Sequence, residues 1–281
     1  MTAFFLRLFA RLPLGLLHSL GWGAGWAVYL LSPRYRARLR ENLAASGLAR
    51  KGVLRRAVAE AGKGVLELPA IWFRPQERTL RLLRQCDGCE HIDAAQKAGK
   101  GIIFLTPHLG CFEITSLYYA AKDPITILYR PPKLKWLRPL LAHGRVQGHA
   151  ALAPTDLSGV KALLKALKRG EAIGILPDQV PGLGEGVWAP FFGRPAYTMT
   201  LVGRLAASSG ATVLMAFGER LPFGRGYKLW IRPFAGDWSG PPEASAAALN
   251  REIENLVRQK PEQYLWSYNR YKTPKGVRGE A

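Results

Sequence analysis

Gly101-Ile-Ile-Phe-Leu-Thr-Pro107 is followed directly by His108-Leu-Gly-Cys-Phe-Glu113. The first segment is a short apolar run bounded by glycine and proline, which is typical of a buried strand in a parallel sheet. Ligands gather beyond the carboxyl ends of the strands in such sheets, and His108 stands at that position. We therefore predict a strand over residues 101–107 and a functional site that begins at His108.

Other segments repeat this alternation of strands and helices. Strand-like runs occupy residues 125–129, 172–176, 212–217 and 227–231. Helical patterns occupy residues 34–46, 53–73, 157–167 and 249–257. The alternation predicts an α/β fold with a mostly parallel central sheet flanked by helices. Residues 181–197 are rich in glycine, proline and aromatic residues, and we interpret them as a long functional loop.

An uncharged segment near the amino terminus is long enough to contact a membrane. Residues 12–33 contain no Asp, Glu, Lys or Arg and include Trp22, Trp26 and Tyr29. About 20 apolar residues span a bilayer, with aromatic residues and arginines at its interfaces. A signal peptide and a buried core helix are the alternatives, but arginines rather than a clear cleavage site follow the segment.

The sequence therefore predicts a membrane-anchoring segment over residues 1–33 and a single catalytic domain over residues 34–281. Whether the segment spans the bilayer or lies in its interface stays open. The arginine-rich stretch that follows indicates the cytoplasmic side.

The charge is strongly basic, with 40 Lys and Arg against 20 Asp and Glu, a net +20. Such an excess concerns partners, and nucleic acid, anionic lipid headgroups and acidic proteins are the candidates. A membrane-tethered nucleic-acid binder is thus an alternative of another class. The sequence has no helix-turn-helix, zinc-finger or RNP-type motif, so we expect no nucleic-acid partner.

The three cysteines give no disulfide framework and suit a reducing compartment. Cys86-Asp-Gly-Cys89, with His91 nearby, has metal-ligand spacing. A zinc site usually needs a second paired motif, which is missing, so we predict a turn around Gly88. We expect neither a metal site nor a cofactor.

His108 and Glu113 have the chemistry of a base and its supporting carboxylate. A hydroxyl is a weak nucleophile while protonated, and His108 could take its proton. Glu113, in the first turns of a helix near Gly110, could hold the hydrogen of the other ring nitrogen. A His and a Glu at this spacing also occur by chance, and a structural pair is the alternative.

Several sequence blocks follow the amino-terminal hydrophobic segment in a fixed order. They are Gly99-Lys-Gly-Ile-Ile-Phe-Leu-Thr-Pro-His-Leu-Gly110 with Glu113, Tyr129-Arg130-Pro131, Leu176-Pro-Asp-Gln179, Pro190-Phe-Phe-Gly193 and Pro261-Glu-Gln-Tyr-Leu-Trp266. In this segment and these blocks, over nearly its whole length, the sequence resembles the late acyltransferases of lipid A biosynthesis, within the lysophospholipid acyltransferase superfamily. The glycerolipid branch typically has Pro-Glu-Gly where this chain has Pro177-Asp-Gln179, which favours the lipid A branch. Many relatives have asparagine at the position of Cys111, and a thiol nucleophile is the alternative that this departure opens.

The resemblance implies direct transfer of a fatty acyl group from acyl carrier protein to a hydroxyl of a lipid A precursor, at the cytoplasmic side of a bacterial inner membrane. A lysophospholipid or ornithine-lipid acceptor is the alternative. His108 and Glu113 would be catalytic. We assign substrate binding to Arg130, Asp178 and Gln179, although an Arg130–Asp178 ion pair would be structural.

Two further groups could contact substrates. Phe191 and Phe192 could line an acyl pocket or simply belong to the core. The basic edge of the helix over residues 157–167, which consists of Lys161, Lys165, Lys168 and Arg169, could attract the acidic carrier protein or be a solvated face.

Overall fold

A seven-stranded mixed sheet forms the centre of the protein, in a computed structural model that describes residues 2–131 and 138–279. Its strands are β1 (Leu83–Asp87), β2 (Ile102–Leu105), β3 (Ile125–Tyr129), β4 (Ala150–Pro154), β5 (Ala172–Ile175), β8 (Thr212–Arg220) and β9 (Tyr227–Pro233), and a separate antiparallel hairpin consists of β6 (Gly186–Phe191) and β7 (Arg194–Met199). The sheet order is β1-β9-β8-β2-β5-β3-β4, and every neighbouring pair is parallel except β8 and β9. The prediction of a mostly parallel α/β fold is confirmed.

Helices flank this sheet on both faces. They are α1 (Thr2–Ala10), α2 (Leu14–Leu31), α3 (Pro33–Ala45), α4 (Val53–Leu66), α5 (Leu68–Phe73), α6 (Gln76–Leu80), α7 (Glu90–Ala98), α8 (Glu113–Ala120), α9 (Arg138–Arg145), α10 (Leu157–Lys168), α11 (Leu201–Ser209) and α12 (Pro242–Gln259). Two hydrophobic clusters fill the space between helices and sheet, one on each side of β2.

Strand β2 is central because it is apolar on both faces. Every residue from Ile102 to Leu105 is buried, and β2 pairs with β5 on one side and with β8 on the other. A strand covered on both faces has no polar positions, which explains the continuous apolar run in the sequence. Its carboxyl end delivers His108 to the edge of the sheet.

The structure differs from the sequence prediction in two segments. The helix predicted over residues 53–73 divides at Glu67, because Pro69 lacks an amide hydrogen and suits the first turn of the new helix α5. Most of the loop predicted over residues 181–197 is the β6–β7 hairpin, which turns at Phe192 and Gly193 with positive φ angles of 48° and 73°. Polar and apolar residues alternate only weakly along this hairpin, and its glycine and proline content therefore indicated a loop.

Helix α2 has the length and composition of a membrane helix. Among the described residues it is the only helix that is both long enough and apolar enough to cross a membrane, with 18 residues and a mean hydropathy of 1.2. A third of the helix is buried inside the protein. Its amino-terminal half carries one buried polar side chain, His18.

His18 belongs to a buried cluster around Glu67, where α4 meets α5. Glu67 accepts hydrogen bonds from Arg220 Nε at 2.8 Å and from the Tyr227 hydroxyl at 2.9 Å, and its carboxylate lies 3.0 Å from His18 Nε2. Arg220 also donates through Nη2 to the backbone oxygen of Gly110 at 2.6 Å. The cluster therefore joins α2, β8 and β9 to the loop that carries His108.

Replacing Glu67 with glutamine should lower the free energy of unfolding by about 1.5–3 kcal/mol, the contribution of a hydrogen bond to a charged group, because buried Arg220 then keeps only its second carboxylate partner, Glu60 at 3.4 Å. Burial alone would raise the pKa of Glu67, but Arg220 and His18 outweigh burial and lower this pKa. The stabilisation is therefore present above the unfolded-state pKa of about 4.3 and is lost as pH falls through the folded-state value. Denaturant unfolding at neutral and acidic pH should show the difference between the proteins shrinking in acid. An equal difference at both pH values would contradict this ionic role.

The cysteine expectation was wrong for one pair. Cys86 and Cys89 form a disulfide across the turn at Gly88, with Cα atoms 5.8 Å apart. The predicted turn is present, since Gly88 has a φ of 85°. Within residues 2–131 and 138–279, no group of three or more His, Cys, Asp or Glu side chains could hold a metal ion.

Candidate active site

His108 is paired with Asp178 at the carboxyl edge of the sheet. The ring Nδ1 lies 2.7 Å from Oδ1 of Asp178, and the backbone amide of His108 donates to Oδ2 at 2.9 Å. His108 follows β2 and Asp178 follows β5, and these strands are direct neighbours. Two adjacent parallel strands thus bring together residues that lie 70 positions apart in the sequence.

Asp178 remains ionised in this setting although it is buried. Burial by itself would raise its pKa, but the attraction and the hydrogen bonds of His108 outweigh burial and hold this pKa below its ordinary value. Burial, followed by the charge of Asp178, raises the pKa of nearby Tyr264 well above its usual range. Asp178 can therefore orient the ring and stabilise an imidazolium.

The second ring nitrogen of His108 points toward an open cavity. With the Nδ1 hydrogen directed at Asp178, Nε2 carries the lone pair and accepts from the Gln179 side-chain amide at 3.1 Å. Gln179 and His108 both line the cavity. A hydroxyl that displaces Gln179 would meet a nitrogen able to take its proton.

The cavity beside His108 has a volume of about 660 Å³ and is lined by both apolar and charged side chains. The apolar residues are Leu128, Leu157, Val160, Leu176, Val180, Leu183, Met199 and Leu201. The basic residues are Arg130, Arg145 and Arg204, and the acidic residues are Asp156 and Glu185. Apolar lining next to guanidinium groups suits an amphiphile with an anionic head.

The prediction that Glu113 hydrogen-bonds to the His108 ring was wrong, because the two ring nitrogens contact Asp178 and Gln179. Glu113 starts α8 and binds Arg145 instead, with Nε of Arg145 at 2.8 Å from Oε1 and 3.2 Å from Oε2. Glu113 is buried, whereas Arg145 lines the cavity. Glu113 thus positions an arginine of the site.

Replacing Glu113 with glutamine should lower acyl transfer about tenfold to a hundredfold, because a charge-assisted hydrogen bond contributes about 1.5–3 kcal/mol. The loss should come from a less ordered Arg145, while the His108–Asp178 pair remains. Steady-state kinetics of the variant should keep the shape of the wild-type pH profile. A changed profile would indicate that Glu113 acts on His108 after all.

The other expected site residues divide between the cavity and the core. Arg130 is exposed and lines the cavity. Asp178 pairs with His108 instead, and no Arg130–Asp178 ion pair is present among the described residues. Phe191 and Phe192 are buried in the core against Tyr264 and Trp266 and do not line the cavity. Their assignment to an acyl pocket is corrected, because the hairpin turns both rings inward.

Cys111 lies in the core as well. It packs in a cluster with Leu14, Ile114 and Tyr227, and burial, followed by the charge of Glu67, raises the pKa of its thiol well above the usual value. A thiolate nucleophile is therefore disfavoured at this position.

Arg145, Arg204 and Tyr264 are site residues that sequence reasoning missed. Tyr264 stands inside the quoted block Pro261-Glu-Gln-Tyr-Leu-Trp266 and could have been noticed there. No sequence motif marks Arg145, because its role depends on the packing of α9 beside Glu113. Arg204 follows no motif and reaches the cavity from α11.

This chain is similar to known proteins over most of its length. A sequence model of the bacterial lipid A biosynthesis acyltransferase family matches residues 1–273. The chain is 30% identical to the lipid A biosynthesis lauroyltransferase of Escherichia coli K12, with 97% of this chain and 90% of that protein covered. It is 27% identical to the palmitoleoyltransferase of the same organism (95% and 89% covered) and 28% identical to a lipid A biosynthesis acyltransferase of Haemophilus influenzae (97% and 86% covered).

Proposed function

Because the chain belongs to the bacterial lipid A biosynthesis acyltransferase family and is an acyltransferase of lipid A biosynthesis, we propose that it moves a fatty acyl group from acyl carrier protein to a hydroxyl of a lipid A precursor. The observation that carries this proposal is the His108–Asp178 pair beside a cavity lined by apolar side chains and three arginines. The apolar side chains suit an acyl chain, and the arginines suit phosphates of the acceptor or of the donor's pantetheine arm.

The reaction is a direct attack by the acceptor hydroxyl on the thioester carbonyl carbon. Nε2 of His108 takes the hydroxyl proton as the new C–O bond forms, and Asp178 stabilises the imidazolium. The tetrahedral oxyanion then collapses, the C–S bond breaks, and the imidazolium returns the proton to the departing sulfur. The products are an ester and a free thiol on the carrier.

Gln179 and Arg145 are the candidate donors to the oxyanion. The Gln179 side-chain amide donates to Nε2 of His108 at 3.1 Å, so a hydroxyl that takes its place at Nε2 leaves the amide hydrogen beside the reacting carbon. Arg145 lines the same cavity and is held by Glu113. Donors fixed before the reaction stabilise the charge without reorganisation.

The donor side of the proposal rests on the charge near the cavity. Leu157 and Val160 of α10 line the cavity, and the exposed edge of the same helix carries Lys161, Lys165 and Lys168. An acidic carrier protein docked on this edge would be steered by charge to deliver its thioester at the mouth.

The proposed place of action is the cytoplasmic side of a bacterial inner membrane, with residues 1–33 as the attachment and residues 34–281 as the catalytic domain. Apolar α2 and the net charge of +20 support attachment to an anionic membrane. No nucleic-acid partner is part of the proposal.

Product mass tests the function. Purified protein should be supplied with acyl carrier proteins of several chain lengths, with matched coenzyme A thioesters, and with tetra-acylated lipid A precursor, lysophospholipid or ornithine lipid as acceptor. We expect one added acyl chain on the lipid A precursor and release of free carrier thiol. Faster transfer to lysophospholipid or ornithine lipid would replace the proposed acceptor with that alternative.

Cys111→Ser and Cys111→Ala should keep most of the wild-type activity, within about threefold, because transfer through His108 needs no thiol. Intact-protein mass spectrometry during turnover should show no acyl-enzyme. An acyl group trapped on Cys111 that passes to acceptor would overturn direct attack.

A further inference from the structure

Helix α2 is packed against the rest of the protein along its length. A Cβ atom on Gly21 would lie 2.6 Å from the Cα atom of Lys63, and one on Gly25 would collide with the backbone of Val58. These contacts require the backbones of α2 and α4 to touch. Near its start, α2 sends the buried side chain of His18 to Glu67 at 3.0 Å.

Hydrogen bonds and packing hold the chain segments before and after α2 to the rest of the protein. Before the helix, Arg74 donates to the backbone oxygens of Ala10 at 2.6 Å and Leu12 at 2.5 Å, and α1 packs on α5. After it, Asn42 of α3 donates to the backbone oxygen of Trp266 at 2.7 Å. Both ends of α2 therefore lie on the same body, although the helix is about 27 Å long.

A helix that crosses a bilayer cannot satisfy these contacts. Its two ends would stand on opposite sides of a hydrocarbon layer about 30 Å thick, while α1 and α3 hold them to one body. The neighbouring α4 would also enter the hydrocarbon with the exposed charges of Arg55 and Arg56.

The outward face of α2 is nevertheless apolar. Its exposed residues include Leu16, Leu20, Trp22 and Leu31, the last with 83% of its surface exposed, and none of the exposed residues is charged. The exposed hydroxyl of Ser19 donates to the backbone oxygen of Gly15. A contiguous exposed face of this kind marks a contact surface.

Cations and a further aromatic residue surround this face. Arg11 and Arg34 flank α2, Arg55 and Arg56 line a groove with Trp22, and none of these guanidinium groups makes an ion pair within residues 2–131 and 138–279. Phe223, 93% exposed at a positive φ of 58°, lines the same groove from the β8–β9 turn. Apolar side chains flanked by free arginines fit the acyl–headgroup boundary of an anionic bilayer.

We propose that α2 does not span the membrane but lies along one surface of an anionic bilayer, with its exposed apolar face in the acyl region. The arginines at its ends and along α4 contact lipid phosphates. This inference rests on the proposed membrane attachment and specifies its geometry.

Thiol labelling tests the geometry without using activity. In a Cys86→Ser, Cys89→Ser background, a cysteine is placed at Arg11, at Arg34 or at exposed Lys97 as the control, and the unaltered background serves as the blank. Membrane-impermeant maleimide is added to intact and to lysed spheroplasts. We expect Arg11→Cys and Arg34→Cys to react in the same preparation as Lys97→Cys. Reaction of Arg11→Cys and Arg34→Cys from opposite sides would overturn the proposal.

Vesicle flotation tests the contact surface. Leu20→Glu should weaken binding of the full chain to phosphatidylglycerol vesicles about tenfold, as expected for one buried leucine side chain. Ala94→Glu, on an exposed position of α7, should bind like wild type. Equal binding of Leu20→Glu and wild type would overturn the proposal, as would self-association through α2 without vesicle binding. Product mass with the lipid A precursor reports separately on the proposed function.

Discussion

Replacing His108 with alanine should lower the rate of acyl transfer by about two to four orders of magnitude, the typical contribution of a positioned base. Without Nε2 the acceptor hydroxyl attacks while still protonated, and no imidazolium is available to protonate the departing sulfur. The measurement is the initial rate of product formation with saturating donor thioester and acceptor.

The variant must stay folded for this loss to be chemical. The His108 side chain borders the cavity rather than the centre of the core, so the variant should fold and bind vesicles like the wild type. Its free energy of unfolding should be lower, because buried Asp178 loses its ring partner and keeps only the hydrogen bond from the backbone amide at position 108. Wild-type turnover in a folded His108→Ala protein would remove His108 from the mechanism.

Replacing Asp178 with asparagine should cost about two to four orders of magnitude as well, through a different cause. Oδ2 accepts from the backbone amide of His108 at 2.9 Å, so the amide oxygen of asparagine is drawn to that position. The amide hydrogens then face Nδ1 and force the ring into the tautomer that carries its hydrogen on Nε2. That tautomer has no lone pair for the hydroxyl.

Asp178→Asn has a matched comparison in Glu113→Gln. Both changes replace a buried carboxylate with an amide of the same size, but only Asp178 contacts the ring. The asparagine variant should lose at least about ten times more activity than the glutamine variant. Equal losses would mean that the orientation of His108 does not depend on Asp178.

The sheet could be predicted from sequence because its central strands are continuous apolar runs. Buried β2 and β5 are bounded by clear glycine and proline signals, and β3 reads in the same way. Edge strands β1 and β4 were missed, because exposed residues interrupt their apolar pattern. The Glu67 cluster was also invisible, since its members come from distant elements and none follows a motif.

The candidate site could be predicted in several of its members but not in its pairings. His108 and Asp178 both follow predicted strands, but Glu113 was predicted to be the partner of His108 because it lies closer along the chain. Asp178 contacts His108 because β2 and β5 are neighbours, and sheet order is a tertiary property that one sequence does not reveal. Arg145 and the inward packing of Phe191 depend on tertiary contacts in the same way.

A double-variant cycle measures directly whether His108 and Asp178 act as one catalytic unit. Initial rates of transfer to tetra-acylated lipid A precursor are compared for wild type, His108→Ala, Asp178→Asn and the double variant. We predict that Asp178→Asn costs about two to four orders of magnitude in the wild type and almost nothing in the His108→Ala background. The same fold loss in both backgrounds would contradict a single catalytic unit, because Asp178 would then contribute without His108.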